Sequence, residues 1–248
     1  RKLATGDRLT SAAEDAAATS VASALGARHL SLRVARANAE HGISMISVAD
    51  GGMREINQNL IRMRELAVAA ASGTLAATER GYLDHEFAER ADEITRTALS
   101  AEWSGLRLLD TAGQTYDVQV GIDGTSNSRI TIQLGDLQAA TLGVDQASTN
   151  LLTVSAAQTA IGDVDAAIDT VNGLRSDIGA THNRILSAYR LADGMRIDTA
   201  EAEGRIRDAD VMVEAAELMK NRLTLQTTLS FVMQTRKLSN DTARLLLL

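Results

Sequence analysis

The sequence has few side chains suited to catalysis or metal binding, and their spacing does not match the motifs for either. The sequence has four histidines, His29, His41, His85 and His182. None of them stands at metal-ligand spacing from another. His85 and Glu86 begin like the H-E-x-x-H motif, in which two histidines on one helix face bind zinc, but the fifth residue here is Glu89. We therefore predict ordinary positions on a helix surface and no metal site.

Two acidic groups have simpler interpretations than ion binding or catalysis. Asp123 and Asn127 flank Gly124 in a faintly calcium-loop-like order, but the ligand pattern and its bidentate glutamate are absent, so a hairpin turn is predicted. Asp208 and Asp210 precede a helical segment, where capping and first-turn acids are expected. The sequence contains no nucleophile elbow, phosphate-binding loop or dinucleotide fingerprint, and we expect neither an enzyme nor a cofactor.

The composition favours an alanine-rich helical protein. Hydrophobic residues make up 45% of the chain but aromatic residues only 2%, so small side chains must fill the contacts between elements. The net charge of -7 argues against nucleic acid as the main partner and against an anionic membrane surface. No apolar run approaches the roughly 18 residues of a transmembrane helix. The chain has no cysteine, which excludes disulfides, and no proline to interrupt a long helix.

Two long stretches carry apolar or small residues at helical spacing. In the first, steps of three and four connect Ala35, Ala39, Ile43, Ile46, Ala49, Met53, Ile56, Leu60, Met63, Ala67 and Ala70. A second stretch, residues 157–195, repeats this spacing from Ala157 through Ile161, Val164 and Ile168 onward. Such heptad seams keep one face of a helix against a partner. Each stretch is therefore predicted to form a helix that packs one face against a partner.

The remaining patterns complete the predicted order of elements. We predict a long helix over 16–71, a helix over 78–102, a β-hairpin over 116–134, a long helix over 153–200 and a C-terminal amphipathic helix. The hairpin is indicated by two runs of alternating apolar residues around a loop rich in turn residues. The predicted fold class is mainly α: an elongated antiparallel helical bundle or coiled-coil rod with one β-hairpin and a C-terminal helix.

Several segments resemble bacterial flagellin, the subunit of the flagellar filament. They are residues 8–18, 35–70 and 103–110, the hairpin, and residues 204–226, in the order and at nearly the spacing of that family. The resemblance covers nearly the whole chain, and the motif REINQNLIRMRELAV within 35–70 favours the filament subunit over related junction proteins. This resemblance implies a structural subunit, exported by the flagellar type III pathway, that assembles with copies of itself into an extracellular helical filament for motility.

The resemblance also implies that the seams at 35–70 and 157–195 pair as a coiled coil, and it implies a domain organisation. Residues 1–15 would form a spoke from a shortened N-terminal helix, 16–205 the rod domain, and 206–248 the C-terminal helix of the filament's inner core. The segment between the hairpin and the second long helix is too short for the family's outer variable domains, so a minimal form is expected. Two alternatives remain: a hook–filament junction protein and, from another class, a signalling coiled coil of the chemoreceptor type, which should lack the β-hairpin.

Partners and surface residues follow from the same resemblance. Arg62, Leu66 and Glu86 match the family's contact with the vertebrate Toll-like receptor for flagellin and would lie between subunits in a filament, although Arg62 and Glu65 could simply pair on a solvated helix face. The C-terminal segment would bind a flagellin export chaperone and the inner core through Val211, Leu218, Leu225, Leu229 and Val232. Hook-associated and cap proteins are further expected partners; nucleic acid and membrane are not.

Overall fold

The chain is mainly α-helical, as its sequence predicts. A computed structural model describes residues 2–11 and 13–245, so residues 1, 12 and 246–248 of the predicted terminal regions lie outside the described residues. The elements in chain order are α1 Lys2–Thr5, α2 Ala16–Ala70, α3 Ala77–Ser100, β1 Glu102–Trp103, β2 Leu106–Arg107, β3 Thr115–Gln119, β4 Arg129–Gln133, α4 Ala139–Leu142, α5 Val154–Arg207 and α6 Val211–Leu245. The predicted fold class is confirmed, although α5 continues beyond its predicted end at residue 200.

The chain forms two compact units. The terminal unit contains the described residues of Arg1–His29 and Ile197–Leu248, and the central unit contains Leu30–Arg196. These units divide both long helices, α2 and α5, between them. The bounds of these compact units do not coincide with the predicted domain bounds at residues 15 and 205. The assignment of 16–205 to one rod domain stays a prediction.

Helices α2 and α5 pair antiparallel in the central unit. Ion pairs join Arg36 to Asp193, Asp50 to Arg175 and Arg64 to Asp165, with nitrogen–oxygen distances of 3.4, 3.0 and 2.6 Å. Residue numbers therefore fall along α5 as they rise along α2. The predicted α2 seam is buried at every position except Ile43, which is half-buried, and its central residue Ile56 shares one core with Val171. The predicted pairing of the two seams is confirmed.

The buried line of α5 differs in detail from the predicted seam. Ala160 and Ala167 are buried, whereas the predicted Ile161 and Ile168 are half-buried at the edge of the core. Small alanines at the centre of the contact allow close approach of two helices, and the larger isoleucines then cover its rim. Because the smaller residues occupy the contact, the buried positions of α5 lie one residue before the two isoleucines that the hydrophobic pattern predicts.

Helix α3 and the β-hairpin pack on α2 within the central unit. Phe87 and Ile94 of α3 are buried in the same core as the α2 seam. Strands β3 and β4 are antiparallel, with Val118 opposite Ile130. The methyl groups of Val118 lie so close to α2 that a Cβ added to Gly42 would meet them at 3.1 Å. A hairpin is marginal alone, and this apolar contact supplies the support that it needs.

Two local features go beyond the predicted elements. Strands β1 and β2 form a second, very short antiparallel ladder, with Trp103 opposite Leu106. The segment between β4 and α5 contains α4 and buries Leu137 and Leu151 completely. The amide of Leu151 donates a hydrogen bond of 2.7 Å to the Asp84 carboxylate on α3. Such isolated anchors leave no periodic pattern in a sequence.

Residues 6–8 pair with residues 206–209 in the terminal unit. Asp7 and Asp208 form an isolated antiparallel bridge, and the Ala209 amide donates to the Gly6 carbonyl at 2.8 Å. Arg207 donates to the Asp7 carboxylate at 3.1 Å. Gly6 adopts a φ of 77°, a left-handed conformation that glycine accepts without steric cost.

Candidate assembly surfaces

The surface between α2 and α3 carries a small network of charges. Arg62 on α2 donates to Glu86 on α3 and to Glu65 on its own helix, at 2.9 Å in each case. The hydrogen bond from Arg62 lowers the pKa of Glu86 below its ordinary value, and hydrogen bonds to Glu86 and then Glu65 raise the pKa of Arg62. Arg90 extends the network, because it lies 4.0 Å from Glu86 and donates to the Asn59 side chain at 3.4 Å. The Arg62 and Glu65 side chains are exposed, whereas Glu86 and Arg90 are half-buried and Asn59 is buried.

Leu66 does not lie on the exposed face where the sequence places it. Its side chain is 2% exposed and belongs to the hydrophobic core. The reason is that α3 covers a second side of α2, so that α2 buries a wider stripe than a two-helix seam requires. The structure therefore brings Arg62 and Glu86 together in an ion pair and places Leu66 in the hydrophobic core.

The acidic residues considered above for ion binding take part in local backbone structure. The described residues include no cluster of three or more histidine, cysteine or acidic side chains suited to a metal ion. The loop around Asp123 is closed by the Gln119 side chain, whose amide donates to the carbonyls of Gly121 and Asp123. Asp210 caps α6, because its carboxylate accepts hydrogen bonds from the amides of Met212 and Val213. The expected capping role is confirmed for Asp210.

Helix α6 exposes large apolar side chains between Val211 and Met233. The predicted face is exposed throughout, with Val211 at 59%, Leu225 at 64% and Val232 at 48%. Exposure is not confined to that face, since Met212 and Phe231 are 80% and 68% exposed. Extended apolar surface of this kind marks a site of interaction with another protein or a membrane. Among the described helices, none combines the length and the apolar composition that a membrane span requires.

Comparisons with known proteins place this arrangement in a family. Residues 1–114 match the family described as bacterial flagellin N-terminal helical region, and residues 161–246 match the bacterial flagellin C-terminal helical region. The flagellar filament 33 kDa core protein of Treponema phagedenis is 30% identical, over 99% of this chain and 90% of that protein. The chain belongs to the bacterial flagellin family. A flagellin of Halalkalibacterium halodurans is also 30% identical, over 94% of this chain and 85% of that protein.

Solved structures give the same fold. The crystal structure of Bacillus cereus flagellin has a TM-score of 0.54 at 28% identity, covering 62% of this chain and 88% of that one. A putative flagellar hook-associated protein from Vibrio parahaemolyticus has a TM-score of 0.64 but only 14% identity, over 79% of this chain and 100% of that one. At that identity the second likeness shows the fold alone and does not favour a junction protein. The flagellin family is structural, and its members are components of the flagellar filament.

Sequence reasoning misses the residues that set the register of α2 against α5. They form the three ion pairs between α2 and α5. The spacing of residues within either helix alone does not predict these pairs. The sequence does contain a signal, because each charged residue lies at the edge of a predicted seam. When the two seams are aligned antiparallel, each of these residues stands opposite a residue of the other sign. Finding the pairs requires the correct alignment of both helices, which no single segment supplies.

Proposed function

We propose that the chain packs along the filament with copies of itself and that α6 supplies the main apolar contacts. As a flagellin, the protein is a structural subunit of the extracellular flagellar filament. The observation that carries the proposal is the exposure of large apolar side chains along α6. Burying one such side chain stabilises a contact by about 1.5–3 kcal/mol. A contact between unlike surfaces of identical subunits does not close, so it generates an open-ended polymer.

The contribution of α6 is tested by placing charge on its apolar face. We expect Leu225→Asp and Leu229→Asp each to raise the concentration needed for filament formation by at least about tenfold, because a carboxylate cannot be buried there without a partner. Gln226→Asp, at an exposed polar position on the same helix, is the matched control and should assemble normally. Sedimentation and electron microscopy measure the assembled fraction. Normal filaments from both leucine variants would contradict the proposal.

A flagellin export chaperone is the partner that we propose for α6 before assembly. The five proposed contact residues lie at intervals that return to one helix face: Val211, Leu218, Leu225, Leu229 and Val232. An amphipathic helix presents such a face to a hydrophobic groove. Leu218→Asp should weaken chaperone binding by about tenfold in calorimetry, with Gln226→Asp unchanged. Equal affinities for the wild type and Leu218→Asp would remove this assignment.

We propose that the surface formed by Arg62 and Glu86 contacts neighbouring subunits in the filament and the vertebrate Toll-like receptor in the free chain. Leu66 would act from below by holding α2 against α3. The exposed, hydrogen-bonded guanidinium of Arg62 supports a polar contact. Arg62→Ala should weaken the response of receptor-reporter cells, whereas Arg33→Ala, at another exposed position of α2, should not. An undiminished response to Arg62→Ala would count against this role.

We further propose the division into a spoke of residues 1–15, a rod of 16–205 and an inner-core helix of 206–248. We also propose that the chain leaves the cell through the flagellar type III pathway and meets hook-associated and cap proteins at the filament. The family membership supports this route. The chain should accumulate in the medium of cells with a working flagellar export apparatus and stay inside cells in which that apparatus is inactivated. Equal secretion by both would exclude the route.

A further inference from the structure

Helix α6 is positively charged over most of the length that exposes apolar side chains. From Leu218 to Lys237 every charged residue is basic, and there are four of them: Lys220, Arg222, Arg236 and Lys237. All four are exposed, and none forms an ion pair with a described residue. This stretch therefore presents an apolar and positively charged surface that no described residue covers.

The opposite charge lies in the same terminal unit, where α5 ends and α6 begins. An open groove of about 740 Å³ is lined there by the carboxylates of Glu201, Asp208 and Asp210 and by the guanidinium of Arg205. Glu201 and Asp208 are exposed and form no ion pair with a described residue. The Asp210 carboxylate accepts hydrogen bonds only from backbone amides at the start of α6 among the described residues, so it keeps its charge uncompensated by a cation. The groove therefore has a net negative charge.

We propose that this groove receives the basic end of α6, Arg236 and Lys237, from a second copy of the chain. Complementary charges steer two surfaces together and fix their register. One chain carries both surfaces on different segments, so each copy can bind one neighbour through its groove and another through the end of α6. Such a head-to-tail contact generates an open-ended array. The inference rests on the proposed filament function and deepens it, because it names the surface that α6 meets.

The position of the basic pair along α6 favours it over the other two cations of the helix. Arg236 lies 26 residues beyond Asp210, which corresponds to about 39 Å of helix. Copies displaced by this distance along α6 place the α6 helices of alternate copies about 78 Å apart, whereas the 35 residues of one α6 span only about 52 Å. With Lys220 in the groove the displacement would be about 15 Å, and the α6 helices of alternate copies would overlap.

The charges determine where α6 binds more than how tightly it binds. An exposed ion pair contributes little to affinity and is weakened by salt. Apolar side chains next to both surfaces supply the larger contribution, because Phe231 and Met233 precede the basic pair and Val211 and Met212 follow the groove, all of them exposed. We therefore assign the choice of direction and displacement between neighbouring copies to the charges.

Charge reversal tests the contact in the full chain. Lys237→Glu and Glu201→Lys should each raise the concentration needed for assembly by about three- to tenfold, because each change places like charges together. The double variant should return that concentration to within about threefold of the wild type. Arg28→Glu is the matched control, since Arg28 is an exposed residue of the same unit that forms no ion pair with a described residue. Circular dichroism should show unchanged helicity in all variants.

Zero-length cross-linking locates the contact independently of filament formation. A carbodiimide joins a lysine amine to a carboxylate in direct contact, and the chain has only three lysines, Lys2, Lys220 and Lys237. In a mixture of unlabelled and nitrogen-15-labelled copies, mass spectrometry distinguishes links between copies from links within one copy. We expect links between copies from Lys237 to Glu201 or Asp208, and at least about fivefold fewer from Lys220 to these carboxylates.

A closed pair of antiparallel α6 helices would also bring Lys237 near the groove. It would place residue 224, midway between the two surfaces, beside its own counterpart. The chain has no cysteine, so the thiol of Thr224→Cys is unique and would join two such copies by a disulfide. In the head-to-tail contact these residues are displaced by about 39 Å and cannot be joined. A disulfide-linked dimer of Thr224→Cys would therefore overturn the head-to-tail direction.

The outcomes separate this inference from the proposed function. Filaments that form equally well with Lys237→Glu, Glu201→Lys and Arg28→Glu would overturn the contact and leave the filament role intact. An equal loss of assembly in all three variants would show a general effect of net charge and would also overturn the contact. Links from Lys237 between copies that form no filaments would support the contact and contradict the filament role. Binding of the unassembled chain to phosphatidylglycerol vesicles, without Lys237 links between copies, would assign the basic end of α6 to a lipid surface and overturn the contact.

Discussion

Arg175 of α5 donates a hydrogen bond to Asp50 of α2, with 3.0 Å between the guanidinium Nε and the carboxylate Oδ1. It is the middle of the three ion pairs that join α2 to α5 among the described residues. Along α2 the charged partners are Arg36, Asp50 and Arg64, spaced 14 residues apart and alternating in sign. A shift of α5 by one such interval would place like charges opposite each other. The alternation therefore favours one register, in the way that flanking charges select register in coiled coils.

Removing the middle pair should lower stability without changing the fold. We expect Arg175→Ala to reduce the free energy of unfolding by about 0.5–1 kcal/mol, because both side chains are about one-third exposed and water weakens their attraction. Arg175→Asp should cost more, since it places two carboxylates together. The double variant Asp50→Arg with Arg175→Asp should recover part of that loss. Chemical denaturation followed by circular dichroism measures each value.

The control for this series is Arg184→Ala, an exposed arginine of the same helix that forms no ion pair in the described part of the chain. It should change the free energy of unfolding by less than about 0.5 kcal/mol. A loss as large as that of Arg175→Ala would mean that the cross-helix pair has no special role.

The sequence predicts the long helices well because their burial is periodic. Heptad spacing from Ala35 to Ala70 requires one packed face, and the structure buries that face almost completely. The hairpin is equally predictable, since alternation and a turn-rich loop are local signals. Family resemblance then identifies the type of protein from the specific motif within residues 35–70. All these features depend on short segments that carry their own information.

Other features depend on packing between segments and so escape local patterns. Leu66 is buried because α3 covers a second side of α2, and the position of α3 cannot be read from α2 alone. The preference for Ala160 over Ile161 at the centre of the contact depends on how closely α2 approaches.

Two adjacent glycines of α2 should respond oppositely to alanine. A Cβ at Gly52 would lie 3.0 Å from a methyl of Leu109 and 3.2 Å from the Cβ of Ala101, whereas a Cβ at Gly51 would meet nothing within 4 Å. Gly51→Ala should raise the free energy of unfolding by about 0.5–1 kcal/mol through helix propensity. Gly52→Ala should be less stable than Gly51→Ala by about 1–2 kcal/mol because of overpacking. Thermal or chemical denaturation distinguishes them; equal effects would show that the core at Gly52 yields freely.

The pair formed by Arg62 and Glu86 predicts a specific dependence on pH. Since the hydrogen bond from Arg62 lowers the pKa of Glu86, the carboxylate binds a proton less readily in the folded chain than in the unfolded chain. Its contribution to stability is therefore present above the ordinary glutamate value of 4.5 and is lost as pH falls through the lowered pKa. Glu86→Gln should lose less stability than the wild type over this acidic range, in denaturation curves at several pH values.

Glu89→Gln provides the comparison for that experiment, because Glu89 is exposed on the same helix and forms no ion pair with a described residue. Its pH dependence should match that of the wild type. A Glu86→Gln chain whose acid sensitivity equals that of the wild type would show that the contact with Arg62 does not persist in solution.

Leu66 should matter for stability far more than its neighbours on the surface. Its side chain is 2% exposed, so Leu66→Ala removes core contacts and should lower the free energy of unfolding by about 2–4 kcal/mol. Ile61→Ala is the matched control, because Ile61 is 47% exposed on the same helix and should cost less than about 1 kcal/mol. Denaturation measures both. If Leu66→Ala loses receptor response in parallel with its loss of stability, Leu66 has a supporting role. If Leu66→Ala stays stable but gives no response, its side chain belongs to the receptor contact, which would contradict its burial.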